Sequence, residues 1–568
     1  MKKIGKFLLG LLVVVLAVET VAITLRYFAR RIPSHTVLTV RIEGDIPEEV
    51  PREALTQIVE GTPTTVTDIV EGLDRASTDA HIDGIEVRVG ESNMNFAKMQ
   101  EIRDKIRQFN QSGKFSVAYL ELATDGPYYV ASACRTVLQL PKSMLYLRGM
   151  MVSTTFYRGA LDKLGIYPDL YHIGDYKNAI NVFTEKGFTS AHREATQALL
   201  ADWYGEFLRG IAESRAMKPT QVADVIPKGP FSSEEALAVG LVDRLGYGDE
   251  VQELVRHKSQ GSGEPLSLQE YLRRTERKGQ SKLAVIYATG LIAPGRSRDQ
   301  VMGSDTIAEE LRRTRLDGDV KAVILRVDSG GGSASASEVI RREVELTRRR
   351  KPVVVSMSDV AASGGYWIAM SASKIVAQPG TITGSIGVLT GKFNLSGLYA
   401  KLGLSKDYVK TTDNATLDYP FENFTPAQRD AILRLMRETY KTFVQGVADG
   451  RRMPAETVDK IAQGRVWTGE RARQLGLIDR LGGLDTAIAI AKELARIPPG
   501  EQVSLLRLPA PRSLVDSILD LLSGSEDTFG DAVRAHFGRF TVPSGIKGLE
   551  ALAREPIWAL LPAVPQVE

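Results

Sequence analysis

Cysteine is nearly absent from this chain: of 568 residues only Cys134 carries a thiol. That excludes an intramolecular disulfide and any metal site built from several cysteines. Histidine is scarce as well, with six residues at 35, 81, 172, 192, 257 and 536, which thins the supply of the commonest general base. Excess charge is missing too. Lys plus Arg number 72 and Asp plus Glu 69, a formal charge of +3, so nucleic acid is not an expected partner. What is present is ordinary globular composition, 43% hydrophobic and 25% charged. This excludes a disordered, collagen-like or polytopic membrane chain. The length is too great for one compact domain.

A long apolar run is lacking except near the start. Phe7 to Leu25 reads FLLGLLVVVLAVETVAITL, with Glu19 its single charge. At 1.5 Å per residue it spans roughly 28 Å, about the thickness of a bilayer's hydrocarbon core. No clean A-x-A-like exit follows, so it reads as an uncleaved single-span anchor rather than a signal peptide. Lys2, Lys3 and Lys6 before it nearly balance Arg26, Arg30 and Arg31 after it, so charge leaves its orientation open.

The remainder contains itself twice. IVEGLDRASTDAHIDGIEVRV (69–89) aligns without a gap on IAEELRRTRLDGDVKAVILRV (307–327), an offset of 238. The same offset carries YYVASACRTVLQLP (128–141) onto YWIAMSASKIVAQP (366–379). After a two-residue slip, FSSEEALAVGLVDRLG (231–246) falls on WTGERARQLGLIDRLG (467–482). A period this long marks a duplicated domain, since solenoid repeats are far shorter. Within the second copy, 283–290, 322–327, 352–357 and 374–378 read as buried strands, separated by helical patterns. The fold class is therefore α/β, two tandem repeats of stacked ββα units behind an N-terminal transmembrane helix. The boundaries are anchor 1–32, first repeat 33–256, linker 257–280, second repeat 281–500 and tail 501–568.

Three features of the second copy converge on chemistry. The strand VVVSM runs into SDVAASGGYW, where Ser363 sits among Ala362, Gly364 and Gly365 at a strand-to-helix junction. A hydroxyl there is open to substrate, and the Gly364 N–H is placed to bind an oxyanion. An ordinary serine N-cap is the plain alternative. The strand AVILRV ends in DSGGGSASASEVI, whose glycines leave N–H groups free for an anion or a developing oxyanion. No Lys-Ser/Thr follows, so it is not a phosphate loop of the G-x-x-x-x-G-K type, although a flexible turn fits as well. In TITGSIGVL, Ser385 lies between glycines, which alone reads as a turn.

With no histidine in the second repeat, a serine there needs a distant histidine or another base; His172 has no obvious carboxylate context and reads as a surface or core histidine. A lysine deprived of water serves, and Lys177 in YHIGDYKNAINVF of the first repeat is the candidate. The first repeat has Asp125 where the second has Ser363, and GESN (90–93) where the second has Asp328 to Gly331. The second repeat has TTDNATL, with Asn414 or Ala415, where the first has Lys177. Each copy retains what the other lacks, as in a site shared between halves.

Together AASGGYW, TGSIGV and G-x-YK-x-A resemble the bacterial signal peptide peptidase (protease IV) family in its long tandem-repeat form. The resemblance spans the anchor and both repeats. It implies a Clp/crotonase-like fold and a Ser–Lys dyad, with Ser363 the nucleophile and Lys177 the general base. Ser385 would orient the lysine, and the Gly331 and Gly364 amides would bind the oxyanion. It implies no cofactor and no metal. Substrates would be signal peptides left in the membrane and other extended apolar peptides. The soluble part would be periplasmic, tethered to the inner membrane lipid, and assembled as a homo-oligomer, a tetramer. This family usually has Asn-Ser-Pro-Gly-Gly at the glycine loop. Here Asp328 replaces Asn and Gly330 replaces Pro, which puts the loop's rigidity in question. A crotonase-like acyl-CoA enzyme and a silent membrane scaffold are the rival readings.

Overall fold

Val353–Ala362, reading VVVSMSDVAA, is buried at every position, as befits a strand covered on both faces. It is central to the second repeat's sheet in the computed structural model, which describes residues 31–50, 63–260, 265–275, 279–298, 300–510 and 558–560. The strand order there is Val466–Thr468, Ile382–Gly384, Val353–Ala362, Val320–Ser329, Ser281–Thr289, Val503–Leu508, with Lys374–Ala377 and Arg480–Leu481 branching from Val353–Ala362. All its pairings are parallel except that of Ile382–Gly384 with Val466–Thr468. The first repeat builds a wholly parallel sheet in the order Pro265–Ser267, Thr36–Gly44, Ile82–Ser92, Phe115–Leu120, Thr136–Gln139, Arg244–Leu245.

Parallel neighbours need crossovers, and helices supply them. Val66–Thr78 and Phe96–Asn110 do so in the first repeat, Ser304–Leu316 and Ala334–Arg348 in the second. Thr65 starts Val66–Thr78 with a reciprocal capping box to Asp68, satisfying amides that the first turn leaves orphaned. The fold is α/β with two tandem units and sheets of mixed type.

The duplication extends further than the apolar pattern discloses. Pro265 pairs with Val37 and Leu505 pairs with Leu283, so each repeat adds a parallel edge strand beside its first strand. The first, followed by helix Leu268–Arg274, lies in the segment that reads as linker, and the second in the segment that reads as tail. Both are edge strands with mostly part-exposed residues, which is why no buried run marks them. The expected membrane span 7–25 lies outside the described residues. Among the described residues no helix is long and apolar enough to cross a membrane.

The repeats join through buried polar contacts. Arg326, wholly buried, donates to both carboxylate oxygens of Glu48 at 2.8 and 2.9 Å, to Glu101 at 2.7 Å and to Ser356 Oγ at 2.8 Å. Burial pushes the Glu48 carboxyl up, but the charges of Arg326 and Lys98 prevail and hold it at about 2. Removing one member of such a cluster costs about 3–5 kcal/mol, because a buried charge is left unpaired. A further sheet crosses the boundary outright: Val301–Gly303, Leu291–Ala293, Gly331–Ser333, Trp558–Leu560, Val388–Asn394, Tyr167–Ile173. Its last pair brings the first repeat against the second, with Val388 opposite Ile173 and Asn394 opposite Tyr167.

Candidate active site

Ser363 occupies the turn between Val353–Ala362 and the helix Gly364–Ala369, at φ 57° and ψ −115°. Residues other than glycine rarely adopt this backbone, and such strain costs on the order of 1–3 kcal/mol. Two hydrogen bonds hold it: Ser363 N donates to Gly384 O at 2.8 Å, and its carbonyl accepts from Trp367 N at 2.8 Å. Small neighbours are required. A Cβ on Gly364 would lie 2.7 Å from Ser337 Oγ and 3.1 Å from Gly331 Cα. The amide of Gly364 is in the helix's first turn, where N–H groups lack intrahelical acceptors.

Lys177 arrives from the other repeat. The cross-repeat pairing of Tyr167–Ile173 with Val388–Asn394 delivers the turn that follows, and Gly174 at φ 105° lets that turn close against Gln463. Tyr176 N donates to Gln463 O at 2.8 Å. Lys177 Nζ then stands 2.7 Å from Ser363 Oγ and 3.0 Å from both the hydroxyl and the carbonyl oxygen of Ser385. Ser385, at φ 50°, is fixed by its own N–H to Arg465 O at 2.8 Å. All three side chains are buried.

Lys177 meets only neutral oxygens, and burial alone drives its pKa well below the ordinary lysine value. An ammonium there would forgo its hydration with no counter-charge to replace it. Lys98 shows the opposite case. Burial acts on it in the same direction, but Asp328, Asp359 and Glu48 surround it and raise its pKa above that of a free lysine. Its Nζ lies 2.9 Å from Asp328 and 3.6 Å from Asp359.

Of the five residues singled out by sequence, Ser363, Lys177, Ser385 and Gly364 converge directly. Gly331, at φ 101°, packs beside Gly364, but its N–H donates to Ser329 Oγ at 3.1 Å. It is free for an oxyanion only once that hydroxyl turns away. Asp328 points off the glycine loop toward Lys98 and accepts from Val360 N at 3.2 Å. The loop is thus braced from the first repeat by an ion pair. Lys98 was not apparent from sequence, since a lysine on an amphipathic helix usually faces water. Gly464 was missed as well. A Cβ there would meet Lys177 N and Cα at 2.6 Å, so only glycine lets the lysine's backbone so close.

The first repeat's counterpart to Ser363 does different work. Asp125 accepts from Arg148 N at 3.1 Å and Gly149 N at 3.0 Å, tying its turn together. Among the described residues no group of three or more His, Cys, Asp or Glu is placed to hold a metal ion.

The model of peptidase family S49 matches residues 108–261 and again 345–498, one match in each repeat. Serine protease SPPA, chloroplastic, of Arabidopsis thaliana is 32% identical over 91% of this chain and 78% of its own length. Protease 4 of Salmonella typhi is 34% identical over 81% of this chain and 76% of its own. Protease 4 of Haemophilus influenzae is 31% identical over 75% and 72%. The twofold match falls on the two halves whose junction holds the serine and the buried lysine, and this chain belongs to peptidase family S49, the serine proteases.

Proposed function

We propose that Ser363 is the nucleophile and Lys177 the general base of this protease, on a Clp/crotonase-like spiral in each repeat. The observation that carries the reading is the 2.7 Å approach of Lys177 Nζ to Ser363 Oγ in a buried site without counter-charge. A neutral amine has two hydrogens and one lone pair. With the hydrogens on the Ser385 carbonyl and hydroxyl oxygens, both at 3.0 Å, the lone pair faces the Ser363 hydroxyl. That gives Ser385 its role as the group that orients the amine.

Lys177 takes the hydroxyl proton as Oγ attacks the peptide carbonyl carbon. The carbonyl oxygen becomes an oxyanion beside the Gly364 amide, joined by Gly331 when Ser329 releases it. The ammonium of Lys177 then protonates the departing amine, leaving an acyl-serine. Water, deprotonated by the same amine, releases the acid and restores Ser363. A fluorophosphonate serine probe tests this: labelling is lost in Ser363→Ala and weakened in Lys177→Ala. Unchanged labelling of Ser363→Ala overturns the assignment.

The substrates in this reading are signal peptides left in the membrane and other extended apolar peptides. The apolar 7–25 segment supports it. Tethered through that segment to the inner membrane, with the repeats periplasmic, the enzyme would meet such substrates in two dimensions. Cleavage of a signal-peptide panel by detergent-solubilised enzyme tests it, and a preference for soluble charged peptides overturns it.

Homo-oligomerisation, as a tetramer, is part of the proposal. Residues 405–411 are the second repeat's counterpart of Tyr167–Ile173 and form no strand; Tyr408 is 41% and Val409 103% exposed. Residues 150–156, the first repeat's counterpart of Val388–Asn394, likewise form no strand, and Met151 is 53% exposed. The pairing made once inside the chain is therefore available a second time between chains, which supports head-to-tail rings.

A further inference from the structure

The glycine loop and the strand after Ser385 do not pair with each other. Between Gly331–Ser333 and Val388–Asn394 runs Trp558–Leu560, from the part of the sequence beyond both repeats, antiparallel to each. Its register is Trp558 opposite Ser333 and Leu389, Ala559 opposite Gly332, and Leu560 opposite Gly331. The strand also lies against helix Gly364–Ala369, which begins at the residue after Ser363. Its direction carries the chain from Ser333 toward Gly331, hence toward Gly364 and the serine. Ser363 and Lys177 have no exposed surface in this arrangement, although a protease must offer its nucleophile to substrate.

From this geometry we infer that residues 558–560 occupy the substrate cleft as a built-in competitor, seated as the acyl side of a peptide substrate would be. The inference rests on the Ser363–Lys177 assignment above. Two strand edges facing each other across one strand's width form a slot that takes an extended chain by main-chain pairing on both sides. The segment suits such a slot: Ile557 to Leu561 reads IWALL, with Pro556 before and Pro562 after. Proline cannot donate to a ladder, so these residues limit the inserted strand to a short apolar stretch. The slot selects for the same chemistry in other peptides, namely a few consecutive apolar residues in extended form.

A competitor seated about nine-tenths of the time raises the apparent KM about tenfold and leaves kcat unchanged. The test compares the full chain with a full chain carrying Trp558→Pro, Ala559→Pro and Leu560→Pro, each shown by intact mass to end at Glu568. The proline chain is expected to show a KM about tenfold lower for an unstructured apolar peptide, at equal kcat. A synthetic peptide spanning residues 555–564 should inhibit it competitively. Equal KM in the two chains overturns the inference, as does non-competitive inhibition by the peptide. Probe labelling of Ser363 in both chains separates the cases. If the serine is labelled and the KM values are equal, only the tail inference fails; if it is unlabelled in both, the dyad assignment fails.

Discussion

The two repeats share one fold and have taken opposite routes at the same turn. In the second, Ser363 holds a strained backbone and ends in a hydroxyl 2.7 Å from the buried Lys177 amine. In the first, Asp125 heads its helix and accepts two backbone amides, with burial pushing its carboxyl pKa up. On the dyad assignment, one copy keeps a reactive group in a strained turn, and the other uses the position as a fastener. The first repeat in turn supplies Lys177, where the second has Asn414 or Ala415 in the short helix Asp413–Thr416. On the same assignment, a duplicated fold lets each copy give up half of a site, provided their interface places the halves within hydrogen-bonding distance.

Exchanging the two positions is the most severe way to break that contrast. Ser363→Ala should lower kcat by about 10⁴-fold or more, whereas Asp125→Ala should leave kcat within about twofold. Asp125→Ala should instead lower stability by about 1–3 kcal/mol, through two unsatisfied amides. Steady-state kinetics and denaturant unfolding of the two variants check both halves of this statement.

Lys177 and Lys98 of the first repeat come next. Lys177→Met should reduce kcat about 10²–10⁴-fold and raise Tm, because the native state no longer shelters an amine away from water. Lys98→Met should lower stability by about 3–5 kcal/mol by stranding Asp328 and Asp359. A shared loss of Tm would show that Lys177 is held as an ion.

pH separates the lysines further. The folded pKa of Lys177 is lowered by burial, so between that lowered value and the free-lysine value the unfolded chain binds the extra proton. Its contribution to stability therefore rises with pH up to the free-lysine value, about 10.4. Activity depends on the neutral amine and falls as pH drops through the lowered pKa. A pH–rate profile flat from acid to alkaline overturns the role of Lys177. For Lys98 the folded pKa is raised, and its contribution is full below the free-lysine value and lost above it.

The smallest effect belongs to the glycine loop. Asp328→Asn keeps an acceptor for Val360 N but loses the charge facing Lys98, and should change kcat/KM by less than about tenfold. Val409→Asp should shift the assembly toward monomer in sedimentation while probe labelling of Ser363 persists.

Much of this was legible in sequence because it is written in local patterns. The runs at 283–290, 322–327, 352–357 and 374–378 became the strands Ser281–Thr289, Val320–Ser329, Val353–Ala362 and Lys374–Ala377, since two-sided burial demands continuous apolar residues. The serine junction was legible because few residues other than alanine and glycine fit around it. The edge strands Pro265–Ser267 and Val503–Leu508 were not, because edges tolerate polar residues. The Lys98–Asp328 brace and the seat of 558–560 join residues hundreds of positions apart, and no local periodicity encodes such a meeting.

The separation of 186 positions between Lys177 and Ser363 also bears on how the enzyme is made. On the dyad assignment, a ribosome releases the first half with a base and no nucleophile, and the second half gains its base only when the two dock. A half-made molecule therefore has no means of cutting itself or its neighbours. Catalytic competence is the last property the polypeptide acquires, and its appearance reports that assembly is complete.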